Sequence, residues 1–291
     1  MDELLFKSRE QITRGWSEDA KYQVTLMDGI TYFLKISSID QYDRKKAGFE
    51  LLQEVATLGI PMSRPIAFGV CAEGVYTLQS WIEGLDGEDI IPLRTASELA
   101  ALGMEAGQIL KKIHSLGAPK SQEDWESRFN RKIDRNISNY LKSPIQYEGG
   151  QVFIEYINAN RHLLKGRPQC YQHGDYHIGN MMMDRTGKLQ IIDFERYDFG
   201  DPWEEFNRIV WCAQKSPHFA SGLIDGYFDH NVPVDFWPLL ALYIASNALS
   251  SIYWAISFGP TEINKMLTQA KEILTWFDQM KTPVPIWWNL T

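Results

Sequence analysis

The spacing of apolar and polar positions changes character near residue 84. Before it, short alternating runs at 22–27 and 30–36 flank Asp28-Gly29, a dipeptide that supplies the positive φ angles of a hairpin turn, and they predict two paired antiparallel strands. Residues 41–58 follow a helical period that stops at Gly59 and Pro61, because glycine caps a helix and proline cannot continue one. Two more strand-like runs occupy 65–70 and 75–81. Beyond Glu83-Gly84 the period is mostly helical, over 98–114, 122–141, 151–163, 202–214, 219–229, 236–257 and 262–280. No internal repeat or low-complexity tract interrupts it. The pattern predicts an α+β chain: a small N-terminal β lobe with one helix over 1–82, a hinge near 79–84, and a larger, mainly helical C-terminal lobe over 83–291.

Composition narrows the class. A chain of 291 residues with 44% hydrophobic content can bury a full core without covalent staples. Its three cysteines, Cys71, Cys170 and Cys212, are an odd number without a CxxC pair, which speaks against a disulfide framework and a cysteine zinc site and for a reducing compartment. The first residues, MDELLFKSREQ, carry charges where a signal peptide is apolar, so a cytoplasmic location is expected. A net charge of −8 disfavours nucleic acid as a partner, since binding it requires an excess of Lys and Arg, and is compatible with a cationic small molecule. Residues 236–258 carry no charge and reach the length of a membrane span. Tyr243, Asn247, Ser250, Trp254 and Ser257, however, recur at steps of three and four, and neither end has a Lys or Arg cluster. These features predict a buried helix of a soluble lobe and no membrane partner.

Chemistry concentrates in a β-like island within the helical part. It reads CYQHGDYHIGNMMMD from Cys170 to Asp184, turns at Arg185-Thr-Gly-Lys188, and continues LQIIDFE to Glu195. Asp175, Asn180 five residues later, and Asp193 at a strand end surround a hairpin. Phosphoryl transfer requires such a set, because a metal must be held against phosphate oxygens while one attacking hydroxyl is oriented. His173 and His177 are four apart, but Gly174 disfavours the helix a zinc pair would need, and no Glu follows His173. His173 is read as a loop-holding hydrogen bonder, and His177 as a neighbour of the metal ligands.

HGDYHIGN followed by IIDFE resembles the aminoglycoside phosphotransferase family, whose fold is protein-kinase-like and two-lobed. The resemblance implies that Asp175 is the catalytic aspartate, that Asn180 and Asp193 hold Mg²⁺, and that ATP or GTP is the co-substrate. Lys35, in TYFLKI, would hold the α and β phosphates. Glu50 would be its ion-pair partner, with Glu54 the rival one turn on. Backbone donors of the segment at 15–22, Ser17 among them, would cover the phosphates, and main-chain groups of Ser80 and Ile82 would meet the base. Tyr176, Asp225, Asp229 and Glu262 are the substrate-binding candidates.

Three departures accompany the resemblance. Glu195 stands where protein kinases have the Gly of Asp-Phe-Gly. Glu205 replaces the last Asp of the family's Asp-Pro-x-x-Asp. Between Asp193 and Trp211 there is neither Ser nor Thr, nor an Ala-Pro-Glu sequence, which argues against a phosphorylated activation loop and protein-kinase activity. The implied reaction moves the γ-phosphate to a hydroxyl of a small molecule. An aminoglycoside-like cationic antibiotic leads, and a small-metabolite kinase of choline, methylthioribose, homoserine or fructosamine type is the alternative. A non-catalytic nucleotide-binding module comes last, since Lys35, Asp175, Asn180 and Asp193 are all present. The acceptor is expected between the Asp175 loop and the helices after Trp203, in acidic surroundings.

Overall fold

The computed structural model describes residues 6–13 and 19–290; Ser17 and the first half of the expected phosphate-covering segment, residues 15–18, lie outside them. Strands β1 (Phe6–Ile12), β2 (Ala20–Leu26) and β3 (Thr31–Ser37) lead into helix α1 (Tyr42–Thr57), followed by β4 (Pro65–Cys71) and β5 (Gly74–Ser80). They form one antiparallel sheet in the order β1-β2-β3-β5-β4. Its first hairpin closes as the sequence predicts: Asp28 Oδ1 accepts from the Ile30 N–H at 2.8 Å, and Gly29 sits at φ 83°. Val24, Leu34, Ile36 and Leu78 are the buried centre of the sheet.

Strand β1 was not visible in the pattern. None of its seven residues is buried, because it is an edge strand with little to cover, and it is held by pairing with β2. Arg9 adds a bidentate ion pair to Glu73 at 2.7 and 2.8 Å, with its guanidinium 3.8 Å from the centre of the Tyr22 ring.

The chain continues through β6 (Gly84–Asp86), α2 (Gly87–Ile90), α3 (Ala96–Ile113), α4 (Trp125–Lys142), α5 (Gly150–Asn160) and β7 (Cys170–Gln172). Then come β8 (Met181–Asp184), β9 (Leu189–Ile191), β10 (Asp198–Gly200), α6 (Ile209–Lys215), α7 (Pro217–Phe228), α8 (Phe236–Ala255) and α9 (Pro260–Trp276). Contacts divide it into two compact units, Met1–Ile90 with Gly179–Glu195, and Ile91–Ile178 with Arg196–Thr291.

In the first unit β6, β8 and β9 form a small sheet, and the Ile191 N–H donates to the Pro61 carbonyl at 3.0 Å. Asp184 closes the β8–β9 turn by accepting from the Thr186 hydroxyl at 2.6 Å and from the Thr186 and Lys188 N–H groups, and these bonds hold its carboxyl down to about 2.

In the second unit α3 begins with a capping box between Thr95 and Glu98. It packs on α7 through glycines on both sides: a Cβ at Gly103 or Gly107 would collide with the Phe219 or Leu223 carbonyl, and one at Gly222 or Gly226 with that of Ala100 or Met104. The segment expected as one helix over 202–214 is instead a 3-10 turn, Glu204–Arg208, running into α6. The 23 residues Phe236–Phe258 are long and apolar enough to cross a membrane, yet 67% of their 18-residue apolar window is buried inside the protein. The polar stripe explains the helix's setting. Tyr243 is buried, donating to Asp201 Oδ2 at 2.6 Å and accepting from Trp125 Nε1 at 2.9 Å.

Candidate active site

Each of the two units carries a group of charged residues. In the first unit Lys35 lies at the centre of β3, so its side chain leaves the sheet among neighbours that exclude water and it is 5% exposed. Its ammonium is 2.8 Å from Glu195 Oε1 and 3.8 Å from Asp193 Oδ1. Burial alone would lower the Lys35 pKa, but the two carboxylates outweigh it, and the group is held protonated above its ordinary value. Asp193 follows β9 with φ 64°, a region sparsely populated by side-chain-bearing residues and found where surroundings dictate it. The adjacent Ile192 N–H donates to the Asn180 carbonyl at 3.0 Å, joining the two ends of the β8–β9 hairpin.

In the second unit Asp175 sits on the loop after β7. Gly174 takes φ 83°, donates its N–H to Glu205 Oε1 at 2.8 Å, and lies so close to the Arg196 carbonyl that a Cβ would clash with it. His173 is fully buried, and its Nδ1 accepts from the Asp175 N–H at 3.3 Å. The Asp175 carboxylate is faced by Arg208 Nε at 3.2 Å, and by Arg196 Nη1 and His177 Nε2 at 3.7 Å each. Burial pushes its pKa up, yet the His177 hydrogen bond and the Arg208 and Arg196 charges more than offset this and hold it well below the ordinary 3.8.

Beneath this loop, Asp201 is fully buried and takes a bidentate pair from Arg167 at 2.7 and 2.9 Å, while the Gln172 amide donates to its carbonyl at 2.8 Å. A polar cavity of about 120 Å³ lies between the loop and the segment after Trp203. Its lining includes Gln172, Gly174, Asn207 and Asn247, the cations Lys132, Arg196 and Arg208, and the carboxylates Asp198 and Glu204. A larger, open depression of about 370 Å³ on α4 and α5, lined by Ile137, Leu141 and Asn158 among others, contains none of these groups.

Residues 8–237 match the phosphotransferase enzyme family APH, most of the chain's length. The chain belongs to that phosphotransferase family. Solved structures agree at the level of fold. The chain is similar to a thermostable mutant of aminoglycoside phosphotransferase APH(4)-Ia in ternary complex with AMP-PNP and hygromycin B, at 16% identity and TM-score 0.69, covering 92% of this chain and 94% of that one. It is also similar to ADP-bound aminoglycoside phosphotransferase APH(2'')-Ib (17%, TM-score 0.64, 92% and 94%) and to a choline/ethanolamine kinase family protein from Mesorhizobium loti (17%, TM-score 0.66, 92% and 88%). No curated protein sequence matches it.

Within this phosphotransferase the expected site residues divide. Lys35, Asn180 and Asp193 come together in the first unit, and Asp175 anchors the group in the second. Glu50 does not reach Lys35: it is on the exposed face of α1, 4.0 Å from Lys46, and Glu54 is exposed as well. The inward face of α1 is Lys45, Phe49, Leu52 and Val55, a period readable in the sequence that leaves both glutamates outside.

The Ser80 main chain is already engaged, its N–H with the Arg64 carbonyl at 2.9 Å and its carbonyl with the Ser63 hydroxyl at 2.7 Å; Ile82 follows β5 in the segment before β6. Tyr176 is 3% exposed and donates to the Ala106 carbonyl at 2.7 Å, so it packs the core. Asp229 pairs with Lys111 on the surface, Asp225 lies 3.8 Å from His230, and Glu262 pairs with Lys265 on α9; none of the three lines the polar cavity. Sequence reading missed Glu195 as the partner of Lys35, and Arg196 and Arg208 as the cations facing Asp175. Glu195 alone had a local signal, as a charge where protein kinases have glycine.

Proposed function

We propose that the chain transfers the γ-phosphoryl group of ATP or GTP to a hydroxyl of a small-molecule acceptor. The observation that carries this is the protonated, buried Lys35 beside Asp193 in its left-handed conformation. In this reading Lys35 binds the α and β phosphates, with the base met by the segment at Ile82. The donor set at the hairpin ends, the carboxylate of Asp193 and the side-chain oxygen of Asn180, fits Mg²⁺, which takes few protein ligands and fills its octahedral shell with phosphate oxygens and water. Among the described residues no group of three or more His, Cys, Asp or Glu forms a closed cage, the arrangement a zinc site would need. The metal would neutralise charge on the phosphates.

Asp175 orients the acceptor hydroxyl. The hydroxyl oxygen bonds to the γ-phosphorus as the bridging bond to the β-phosphate breaks, the nucleoside diphosphate leaves, and the hydroxyl proton passes to Asp175 Oδ. A carboxylate with a lowered pKa is a weak base for a free alcohol, so orientation dominates, and the proton moves late, once bonding to phosphorus has made it acidic.

For the acceptor, the charges around Asp175 favour the small-metabolite reading over a polycationic antibiotic. A polycation requires an acidic wall, whereas the cavity is lined by Lys132, Arg196 and Arg208 against Asp198 and Glu204. Its 120 Å³ also falls below the roughly 300 Å³ and more of drug-sized ligand sites. Purified protein with Mg²⁺ and ATP or GTP should release ADP or GDP with hydroxylated metabolites and not with aminoglycosides. Turnover confined to aminoglycosides would overturn the acceptor assignment, and nucleotide binding without turnover on any acceptor would overturn the enzyme.

A further inference from the structure

The buried face of α1 presents a lysine where an orienting glutamate was expected. Lys45 is 8% exposed, and its ammonium lies 2.6 Å from Asp19 Oδ2 and 3.2 Å from Glu195 Oε2. The other oxygen of the same Glu195 carboxylate is 2.8 Å from Lys35. One carboxylate thus bridges two buried ammonium groups, each facing a separate oxygen.

We propose that Glu195 orients Lys35 in this phosphotransferase and that Lys45 is a positioning residue which holds Glu195 through its second oxygen, the inference resting on Lys35 being the phosphate-binding lysine.

The physical reasoning is charge balance. A buried ammonium needs a carboxylate with good geometry, and Lys45 on α1 cannot supply one to Lys35. Glutamates 50 and 54 point outward. Glu195 fills the gap from the other side, which accounts for an acidic residue where glycine would leave Lys35 to the more distant Asp193 and Lys45 to Asp19. Lys45 then fixes Glu195 against rotation and ties it to Asp19, the residue immediately before β2. Asp193, the more distant partner of Lys35 at 3.8 Å, can turn to a metal without leaving Lys35 unpaired. Lys45 itself need not touch nucleotide.

The test is a mutant cycle on the full chain. Mg²⁺ with a non-hydrolysable nucleoside triphosphate serves as the binding probe, and steady-state kinetics run beside it. Glu195→Gln and Lys45→Met should each weaken nucleotide binding and raise nucleotide KM by about tenfold, the scale of one charge-assisted hydrogen bond, with acceptor KM unchanged. The double variant should be no worse than the poorer single one, because both break one linkage. Lys45→Arg should recover most of the loss, and Glu50→Gln should stay within about twofold of the parent, as befits an exposed side chain.

Loss on Glu50→Gln with Glu195→Gln silent would overturn the proposal. So would additive effects of Lys45 and Glu195, or a Glu195→Gln defect that appears only in Mg²⁺ affinity. Should Lys45→Met fail to fold, Lys45→Arg and Glu195→Gln decide it through the same split in KM. A parent protein that binds nucleotide normally yet transfers nothing would sink the enzymatic reading alone, since the binding cycle can still be read. A parent that binds no nucleotide would sink both.

Discussion

At Asp175 burial pulls against the His177 hydrogen bond and the Arg208 and Arg196 charges, and the latter group wins. The residue is therefore a carboxylate throughout the physiological range, and its proposed role is to place a hydroxyl. Asp175→Asn keeps the shape but not the charge. It should lower kcat by about two to four orders of magnitude while nucleotide affinity stays within a few-fold of the parent; near-normal turnover would remove Asp175 from the mechanism. A second prediction follows from Arg208. Its charge stabilises the ionised form, so Arg208→Leu should raise the Asp175 pKa toward 3.8 or above and move the acid limb of the kcat/KM profile to higher pH. The stability linked to this depressed carboxyl has the same sign: present above the unfolded value and lost as pH falls through the folded one, a contribution the variant should lack in part. An unmoved acid limb would show that Arg208 does not set the carboxylate's ionisation. The nearness of Asn180 and Asp193 was legible in the sequence because a tight hairpin converts chain spacing into spatial order. Arg208 was not, being 33 positions from Asp175 and brought there by the turn at Glu204–Arg208.

Elements were legible where their own pattern reported their burial. The β2–β3 hairpin and the α8 core helix announced themselves by turn chemistry and by an uncharged run with a polar stripe. The edge strand β1 did not, since a strand covered on little of its surface need not alternate, nor did the break at 204–208 within an apparently continuous helical period. The α3–α7 contact lies between these cases: Gly103 and Gly107, and Gly222 and Gly226, stand at the four-residue spacing of close helix approach, yet nothing local says that these two pairs meet. The contact bears on the site, because α3 supplies the Ala106 carbonyl to Tyr176 and is followed by His114, whose Nδ1 is 2.9 Å from the Tyr227 hydroxyl and whose Nε2 is 3.5 Å from Glu205. Gly103→Ala forces a methyl group against the Phe219 carbonyl and should cost about 1–3 kcal/mol in chemical denaturation, the range for overpacking. Gly117→Ala, with open space at its Cβ, is the control and should be near neutral. Equal stabilities for the two variants would mean that α3 and α7 do not approach so closely.

For the molecule as a whole, periodicity predicted a β lobe over 1–82 and a helical lobe over 83–291, whereas contacts gather Gly179–Glu195 with Met1–Ile90. No local pattern could show this, because it depends on long-range pairing: Leu85 opposite Met183 in the small sheet, the Ile191 N–H on the Pro61 carbonyl, and the Ser63 N–H on the Ile191 carbonyl at 3.3 Å. The consequence is thermodynamic. A segment hydrogen-bonded into one unit opens with that unit, whatever its place in the chain. The hairpin also carries Asn180 and Asp193 at its ends, and Lys35 lies in the same unit, so the proposed nucleotide ligands belong to one cooperative body. A ligand at a hundred times its Kd stabilises the form it binds by about 2.7 kcal/mol, or about a hundredfold in the opening equilibrium. Hydrogen exchange with saturating Mg²⁺ and non-hydrolysable triphosphate should therefore slow at β8 and β9 together with β2 and β3, by similar factors. The buried amides of α8 should change much less. Protection of β8 and β9 that instead tracked α3 and α4, with β2 and β3 unaffected, would place the hairpin in the other cooperative unit and remove the nucleotide from Lys35.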